Sequence, residues 1–314
     1  MKVLVTGGAG FIGSHVADAL LAADASHEVL VLDDLSSGRR QNVPARASFV
    51  QGDLRSAEVV SRVFAEFKPD VVSHQGAQTS VAVSAREPVR DAEINILGSL
   101  NIMNACVAHK VRRIVFASTG GAIYGEVPEG VCATVKTPPN PLSPYACSKF
   151  SVEKYLTAYA AEHDLRPTVL RYANVYGPRQ DPHGEAGVVA IFTQRVLAGE
   201  PIQINARAQP GDSGCVRDYV FVADVVRANL LAIDGKLDES PVNVCTGVPT
   251  STQELAELIE RAAGVKAVLR HGPRREGDVQ RSVLDPGSPS PLGAAVPIAE
   301  GVARTVQWFR ERSA

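Results

Sequence analysis

A short stretch at the start of the chain constrains the fold more than any other feature. The sequence MKVLVTGGAGFIG joins an apolar, β-branched run to a cluster of glycines, Gly7, Gly8, Gly10 and Gly13. Such a run is typical of a buried strand. Ile12, Val16 and Leu20 then recur at helical spacing. The pattern predicts a strand, a tight turn and the start of a helix.

The glycine turn also suggests a ligand. A turn without side chains lets the backbone approach a pyrophosphate, and the first N–H groups and the dipole of the helix stabilise the negative charge. The run from Gly8 to Gly13 fits the dinucleotide-binding fingerprint. A purely structural turn would also explain the glycines, so the motif needs a second signal.

Asp33 supplies that second signal. It ends an apolar run at residues 28–32 and lies twenty residues after Gly13. A carboxylate at this place accepts hydrogen bonds from the adenosine ribose hydroxyls and repels a 2′-phosphate, which favours NAD over NADP. Arg39 and Arg40, a few residues later, would instead suit such a phosphate.

Other candidate cofactor contacts follow the next predicted strands. Asp53 comes after a strand at residues 48–51, and its carboxylate suits either an adenine amino group or the cap of a helix at residues 57–67. A strand at residues 70–74 runs into Gln75, Gly76, Ala77 and Gln78, whose small members suit packing against a cofactor. Asn95, inside a predicted helix at residues 87–109, either bonds the cofactor or faces solvent.

Strands and helices alternate over the first 172 residues. Further strands are predicted at residues 113–117 and 168–171, and a second long helix at residues 143–163. This alternation predicts an α/β fold with a Rossmann-type, doubly wound parallel sheet. We expect residues 1–172 to form the NAD-binding domain, with a returning segment near 216–245, and residues 173–314 to form mainly a smaller α/β substrate lobe.

Bulk composition excludes several classes of function. The chain has 314 residues, of which 45% are hydrophobic and 21% charged, with a net charge of −2. This balance predicts an ordinary globular protein and gives no field that would attract nucleic acid or a membrane surface. The amino terminus fits neither a signal peptide nor a membrane span, so a cytoplasmic location is expected. The five scattered cysteines predict no metal site.

A tyrosine and a lysine four residues apart carry the predicted chemistry. Tyr145 and Lys149 share one face of the second long helix. A tyrosine is a poor base near its ordinary pKa of about 10, and bringing that pKa to neutrality requires about 4 kcal/mol from nearby positive charge. Lys149 and an oxidised nicotinamide ring together can supply it. Thr119 or Ser118, at the end of the preceding strand, offers a hydroxyl to the same substrate oxygen.

Several motifs together resemble one superfamily. They are Thr6 to Gly13, Asp53-Leu54, Tyr145-xxx-Lys149, Arg171 to Arg179, Arg217-Asp218-Tyr219-Val220 and Arg275 to Asp278. This set resembles the extended short-chain dehydrogenase/reductases, and within them it is most similar to the UDP-glucose (UDP-galactose) 4-epimerases. The similarity runs over nearly the whole chain.

The resemblance implies a reaction and a set of contacts. Tyr145 takes the proton of the sugar 4-hydroxyl while NAD takes the C4 hydride, Thr119 bonds that oxygen, and Lys149 holds the nicotinamide ribose; the 4-keto sugar then turns over and is reduced on its other face. The cofactor contacts are Gly7, Gly10, Phe11, Ile12, Asp33, Asp34, Ser37, Gly38, Asp53, Leu54, Gln75, Gly76, Ala77, Gln78, Asn95, Ser118, Tyr145, Lys149 and Tyr172. The substrate contacts are Thr119, Tyr145, Asn174, Arg217, Arg275, Asp278 and Ser282.

Two features depart from the family's pattern. Gly120 and Gly121 stand where related 4,6-dehydratases carry an acidic pair, so these positions have no side chain to expel water. The stretch from Ser118 to Tyr124 has one more residue before its tyrosine than the family's pattern. This leaves open whether Thr119 or Ser118 is the catalytic hydroxyl. Ser282 stands where the family lines the sugar's C2 substituent, and its small size predicts that N-acetylated UDP-sugars also fit.

Two alternative functions, and a homodimeric assembly, are also compatible with the sequence. The chain could act on another nucleotide sugar, as a UDP-glucuronate 4-epimerase or decarboxylase does, or it could be a non-catalytic NAD sensor. A sensor has little reason to keep Tyr145, Lys149 and a strand-end hydroxyl. The two long helices carry more apolar surface than one sheet contact needs, and the resemblance implies a homodimer through them.

Overall fold

A computed structural model describes residues 1–182, 187–237, 240–275, 279–288 and 290–313. Asp278 and the end of the Pro- and Gly-rich loop at residues 177–184 lie outside the described residues. Within the described part, none of the helices combines the length and the apolar character that crossing a membrane requires.

The strands, in chain order, are β1 (Lys2–Thr6), β2 (Glu28–Asp33), β3 (Ser48–Gln51), β4 (Val71–His74), β5 (Arg113–Thr119), β6 (Arg166–Tyr172), β7 (Asn174–Tyr176), β8 (Ile202–Asn205), β9 (Val216–Phe221), β10 (Val242–Val244), β11 (Pro249–Ser251), β12 (Leu269–Gly272) and β13 (Arg281–Ser282).

The helices are α1 (Phe11–Ala23), α2 (Ala57–Phe67), α3 (Val81–Arg86), α4 (Pro88–Ala92), α5 (Gly98–Ala108), α6 (Gly120–Ile123), α7 (Pro144–Glu162), α8 (Val188–Leu197), α9 (Val222–Ile233), α10 (Thr252–Ala263) and α11 (Ile298–Ser313). A 3-10 turn spans Arg40–Asn42, and a π-helical turn spans Glu93–Leu97.

The chain forms two compact units. The first contains residues 1–119, 143–171 and 225–242, and the second contains residues 120–142, 172–224 and 243–314. The first domain was expected to include residues 120–142. They pack in the second unit because their backbone pairs with the strand near residue 283: the Val127 amide donates to the Arg281 carbonyl and the Ala133 amide to the Val283 carbonyl.

The first unit is built on a seven-stranded sheet. Its strand order is β10-β6-β5-β4-β1-β2-β3, and the β1–β2, β2–β3, β1–β4 and β4–β5 pairs are parallel. Strand order reverses between β1 and β4, and ligands of open α/β sheets bind at the carboxyl ends of the strands at such a point. The prediction of a Rossmann-type parallel sheet is confirmed, and one apolar core, including Leu4, Phe64, Ile102, Phe116 and Leu156, supports it.

The second unit is a smaller α/β assembly. β9 is its central strand, pairing antiparallel with β11 and parallel with β13 and β7. β8 and β12 form a separate parallel pair. Helices α8, α10 and α11 pack on one another.

The two long helices differ in detail. The helix predicted at residues 87–109 consists of α4, the π-helical turn and α5 in series. The second is α7, for which Ser143 is the N-cap: its hydroxyl accepts a hydrogen bond from the Ala146 amide at 3.2 Å. Pro144 occupies the first helical position, where it fits without losing a hydrogen bond.

Candidate active site

The glycine turn after β1 approaches the loop after β4 closely. Gly7 has φ +65°, and a Cβ built on it would lie 2.6 Å from the Gly76 backbone. A Cβ on Gly13 would lie 2.3 Å from the Gly7 carbonyl oxygen. Both positions therefore require glycine. Gly10 is the N-cap of α1 and offers no side chain to its first amides, which suits a backbone that receives a phosphate.

The Asp33 carboxylate lies against this turn. It is 8% exposed and accepts hydrogen bonds from the Ala9 amide at 3.0 Å and the Leu35 amide at 2.8 Å. Burial raises the pKa of Asp33, while those two hydrogen bonds lower it. A Cβ on Gly38 would lie 2.8 Å from the carboxylate, so glycine is needed there as well.

Asp53 has a partner of its own. Its carboxylate forms a salt bridge with Arg55 at 2.6 Å, and the Arg55 side chain is the main cause that lowers the pKa of Asp53. The alternative expectation of a helix cap is wrong, because Ser56 accepts the hydrogen bond from the Val59 amide that caps α2. Among the neighbouring candidates, Leu54 is buried, and Asp34 and Ser37 are exposed.

The loop after β4 is fixed from both sides. The Gly76 amide donates to the Thr6 hydroxyl at 3.1 Å. Asn95 holds Gln78 by its backbone: the Asn95 oxygen accepts from the Gln78 amide at 2.9 Å, and the Asn95 amide group donates to the Gln78 carbonyl at 3.0 Å. Asn95 thus faces inward, and its side chain is engaged by the protein. Gln75 donates to Asn229 at 2.8 Å.

Thr119, Tyr145 and Lys149 come together in the first unit. The Thr119 side chain lies close enough to the Tyr145 hydroxyl to lower its pKa by hydrogen bonding. The Lys149 ammonium is buried, donates to the Ala117 carbonyl at 2.9 Å and lies 4.9 Å from the centre of the Phe116 ring. An ammonium has three N–H donors. Among the described residues the Lys149 ammonium donates one hydrogen bond, to Ala117, so it keeps donors for a ligand.

Ser118 faces the other way from Thr119. Its hydroxyl donates to the Glu153 carboxylate at 2.6 Å, and that carboxylate also accepts from Arg171 at 3.0 and 2.6 Å. Glu153 and Arg171 are 6% and 4% exposed, so they form a buried, bidentate ion pair. This geometry leaves Thr119 as the strand-end hydroxyl beside Tyr145.

Burial and neighbouring groups shift the pKa values of Tyr145 and Lys149. Burial raises the pKa of the Tyr145 hydroxyl, Asp91 raises it further, and only the Thr119 hydrogen bond lowers it. Burial lowers the pKa of Lys149 to about 8, and Asp91 opposes that shift. Burial is the largest of the effects on the pKa of Tyr145, and Lys149 is not among its causes in the chain without a cofactor.

The structure describes the predicted substrate contacts of the second unit except Asp278. Asn174 donates to the Asp218 carbonyl at 3.2 Å, and a Cβ on Gly121 would lie 3.4 Å from the Asn174 amide nitrogen. Arg217 donates to the Val216 carbonyl at 3.1 Å and to the Val279 carbonyl. Arg275 is exposed.

Ser282 and Tyr172 are both buried. Ser282 is 1% exposed, and its hydroxyl has no hydrogen-bond partner among the described residues. Tyr172, at the end of β6, is 5% exposed.

The structure also shows residues that the sequence analysis missed. Glu153 follows Lys149 by four residues and so lies on the same helix face, a spacing that could have indicated it. Asp91 precedes Asn95 by four residues in the same way. His74 gave no signal of its own: it lies in β4, between the Thr6 and Ser99 hydroxyls at 2.7 and 2.9 Å, and burial lowers its pKa to about 3.

The observed residues fit NAD. A glycine turn at the N-terminus of α1, an acceptor carboxylate at the end of β2 and a buried lysine with N–H donors to spare match the pyrophosphate, ribose and nicotinamide ends of a dinucleotide. Among the described residues no cluster of side chains suits a metal ion.

Known proteins similar to this chain also include enzymes with NAD bound. Residues 3–245 match the model of the NAD dependent epimerase/dehydratase family. A UDP-glucose 4-epimerase of Mycolicibacterium smegmatis is 44% identical over 321 residues, covering 100% of both chains. The crystal structure of the Thermus thermophilus UDP-glucose 4-epimerase in complex with NAD is 52% identical, covers 99% of each chain and superposes with a TM-score of 0.94. The Thermotoga maritima UDP-glucose 4-epimerase with UDP-glucose is 45% identical, covers 100% of both chains and has a TM-score of 0.93.

Proposed function

This chain belongs to the NAD-dependent epimerase/dehydratase family, and from that membership we propose that it is a UDP-glucose 4-epimerase, an isomerase that interconverts UDP-galactose and UDP-glucose. Full-length identity of 44% and 52% to proteins of that name supports the substrate class. The observation that carries the proposal is the grouping of Thr119, Tyr145 and Lys149 in the first unit, where Lys149 is buried one helical turn from Tyr145 and donates to the Ala117 carbonyl at 2.9 Å.

Each of these residues has one role in the reaction. Tyr145 takes the proton of the sugar 4-hydroxyl and later returns it, while Thr119 donates a hydrogen bond that stabilises the tyrosinate and holds the sugar oxygen. Lys149 holds the nicotinamide ribose and contributes positive charge. Bound NAD would supply the hydride acceptor and donor for C4 of the sugar.

An oxidised cofactor would add to the positive charge that Lys149 contributes. Burial and Asp91 hold the pKa of Tyr145 high, so the free protein keeps this hydroxyl protonated. Because a nearby positive charge lowers the pKa of an acid, the charge of an oxidised cofactor would favour Tyr145 as a base.

The proposed cofactor contacts are those of the first unit together with Tyr172. Asp33 selects NAD over NADP, since its carboxylate accepts the ribose hydroxyls. On the substrate side, Asn174, Arg217 and Arg275 bind the diphosphate, with Asp278 orienting the arginines. Guanidinium groups suit this task because they donate in a fork to phosphate oxygens.

The small residues after Thr119 favour epimerisation over dehydration. A 4,6-dehydration must also move the C5 proton and expel a hydroxyl, and Gly120 and Gly121 provide no acid or base for either step. Turnover therefore returns the hydride to C4.

We further propose that N-acetylated UDP-sugars are substrates. Ser282 is small, and its buried hydroxyl has no protein partner among the described residues. The Ser282→Tyr variant puts a large side chain at this position, so it should lose turnover of UDP-N-acetylgalactosamine while keeping that of UDP-galactose. Equal loss of both would contradict this role for Ser282.

Exposed apolar side chains support a homodimer. Val89 and Leu97, around the π-helical turn, are 71% and 53% exposed, and Tyr155 of α7 is 42% exposed. Burying such residues against a second copy is favourable, at about 25 cal/mol per Å² of apolar surface. Sedimentation should show a dimer that Leu97→Asp weakens, and a wild-type monomer would contradict the proposal.

A cytoplasmic location is part of the same proposal. All five cysteines are free, as is usual in a reducing compartment. The net charge of −2 offers nothing to nucleic acid or to an anionic membrane surface.

Incubation of the purified protein with UDP-galactose, first without and then with added NAD, tests the proposed function. Formation of UDP-glucose is expected, and formation without added NAD would show that the cofactor stays bound. If UDP-galactose is not converted even with NAD, the hexose assignment fails, and UDP-glucuronate is the next substrate to test.

A further inference from the structure

A carboxylate is buried behind the Tyr145 helix. Asp91 of α4 is 1% exposed. Its Oδ1 accepts from Gln78 at 2.7 Å and from Asn95 at 3.0 Å, and its Oδ2 accepts from the Ser148 hydroxyl at 2.6 Å. All three donors are neutral, and the carboxyl group acts only as an acceptor, as an ionised carboxylate does.

These bonds join three elements of the first unit. Ser148 lies on α7 between Tyr145 and Lys149, Gln78 lies in the loop after β4, and Asn95 lies in the π-helical turn that follows α4. The π-helical turn aims Asn95 inward, where it also holds the Gln78 backbone. Such turns are rare and occur often at functional sites.

The carboxylate also acts on both titrating groups of the site. Asp91 raises the pKa of Lys149, which burial lowers. It also raises the pKa of Tyr145, which burial raises as well. A negative charge favours a protonated lysine and disfavours a tyrosinate. Asp91 therefore favours the protonated form of both groups.

We propose that Asp91 is a positioning residue of the epimerase, whose buried charge keeps the Lys149 ammonium protonated while its hydrogen bonds fix α7 against the cofactor loop. The inference rests on the proposed function.

Other charged groups near Asp91 are occupied or exposed. On its own side, Glu87 and Arg90 are exposed and pair with each other at 2.9 Å, and Arg86 of α3 is exposed.

Titratable groups on the other packed elements have partners of their own. In the π-helical turn, Glu93 pairs with Arg55 at 3.7 Å. On α7, Glu153 pairs with Arg171. On β4, burial and the charge of Lys149 keep the pKa of His74 at about 3, so this ring is neutral at working pH. Lys149 and Tyr145 are thus the groups that the charge of Asp91 affects.

The Asp91→Asn variant of the holoenzyme tests the charge. It keeps the size of the side chain and removes the charge, so the pKa values of Lys149 and Tyr145 both fall. Activity needs tyrosinate and ammonium, so both limbs of the kcat profile should move to lower pH, by about 1 pH unit. Ser148→Ala, which removes one hydrogen bond and keeps the charge, should leave both limbs in place.

A purely structural role gives a different result. It would lower kcat at every pH without moving the limbs, and that outcome in Asp91→Asn would overturn the proposal. Movement of the two limbs in opposite directions would overturn it as well.

A titration without turnover separates this inference from the proposed function. In the NAD-loaded protein, tyrosinate absorbance lost in Tyr145→Phe reports the Tyr145 pKa, and it should fall in Asp91→Asn even if no sugar is turned over. In the wild type, NMR of ε-13C-lysine, assigned with Lys149→Met, should show Lys149 charged at pH 7. A neutral Lys149 at pH 7 would overturn the proposal without any Asp91 variant.

Discussion

Removing Arg171 should destabilise the first unit more than any surface change of the same kind. Arg171 and Glu153 are 4% and 6% exposed and share two hydrogen bonds of 3.0 and 2.6 Å. The Arg171→Met variant leaves the Glu153 carboxylate buried with only the Ser118 hydroxyl as its remaining donor in this cluster. Removing one partner of a buried pair costs about 3–5 kcal/mol.

The expected shift in melting temperature follows from that free energy. In a domain of this size each kcal/mol lowers Tm by about 2–4 °C, so Arg171→Met should lower Tm by about 10 °C. Calorimetry of the protein measures it.

Two control variants make the reasoning refutable. Arg112, 71% exposed by side chain, forms a surface pair with Asp164 at 2.9 Å, so Arg112→Met should change stability by less than about 1 kcal/mol. The double variant Glu153→Met/Arg171→Met removes the orphaned charge and should recover most of the loss. If Arg171→Met and Arg112→Met lower Tm equally, or if the double variant is no better than the single, the buried pair does not act as described.

Three further outcomes are expected. Thr119→Val should lower kcat by at least about tenfold, since one hydrogen bond to a developing charge is worth more than about 1.4 kcal/mol, whereas Ser118→Ala, assayed alongside, should retain more turnover; the reverse order would contradict the assignment of Thr119. Lys149 has a pKa of about 8, so its charge is present below that pH and lost above it, and kcat should fall as pH rises through this value; a rate that is constant to pH 10 would contradict the role of the ammonium. Gly13→Ala places a Cβ 2.3 Å from the Gly7 carbonyl oxygen, so calorimetric NAD binding should weaken, while Gly199→Ala, where no atom lies within 4 Å but φ is +69°, should leave NAD binding unchanged even if it lowers Tm; equal NAD affinity in the Gly13 variant would contradict the close approach.

Much of the fold follows from local sequence signals. Apolar runs of four to seven residues give the strands, and helix starts are indicated by capping residues such as Ser143 and Ser251. The packing of residues 120–142 in the second unit could not be predicted. It depends on backbone hydrogen bonds to a strand some 150 residues away, such as that from the Val127 amide to the Arg281 carbonyl. Only the folded chain brings those segments together.

The candidate site divides in the same way. The glycine turn, Asp33, Tyr145 and Lys149 were predicted because each belongs to a local motif. Asp91 was missed, since a buried carboxylate is recognised only by the donors that surround it. The burial that raises the pKa of Tyr145 in the chain without a cofactor was also not predicted, because spacing along a helix says nothing about how deeply a group is buried.

The most direct test of the central claim compares two tyrosine variants of the same helix. Tyr145→Phe removes the proposed base. Tyr159→Phe removes a hydroxyl that donates to the Asn104 side chain at 2.6 Å in an exposed hydrogen bond. With NAD bound to both proteins, conversion of UDP-galactose to UDP-glucose should fall by at least about 1,000-fold in Tyr145→Phe, in the range that general acid–base catalysis contributes, and stay near the wild-type rate in Tyr159→Phe. A Tyr145→Phe protein that binds NAD and converts UDP-galactose at the wild-type rate would contradict the account.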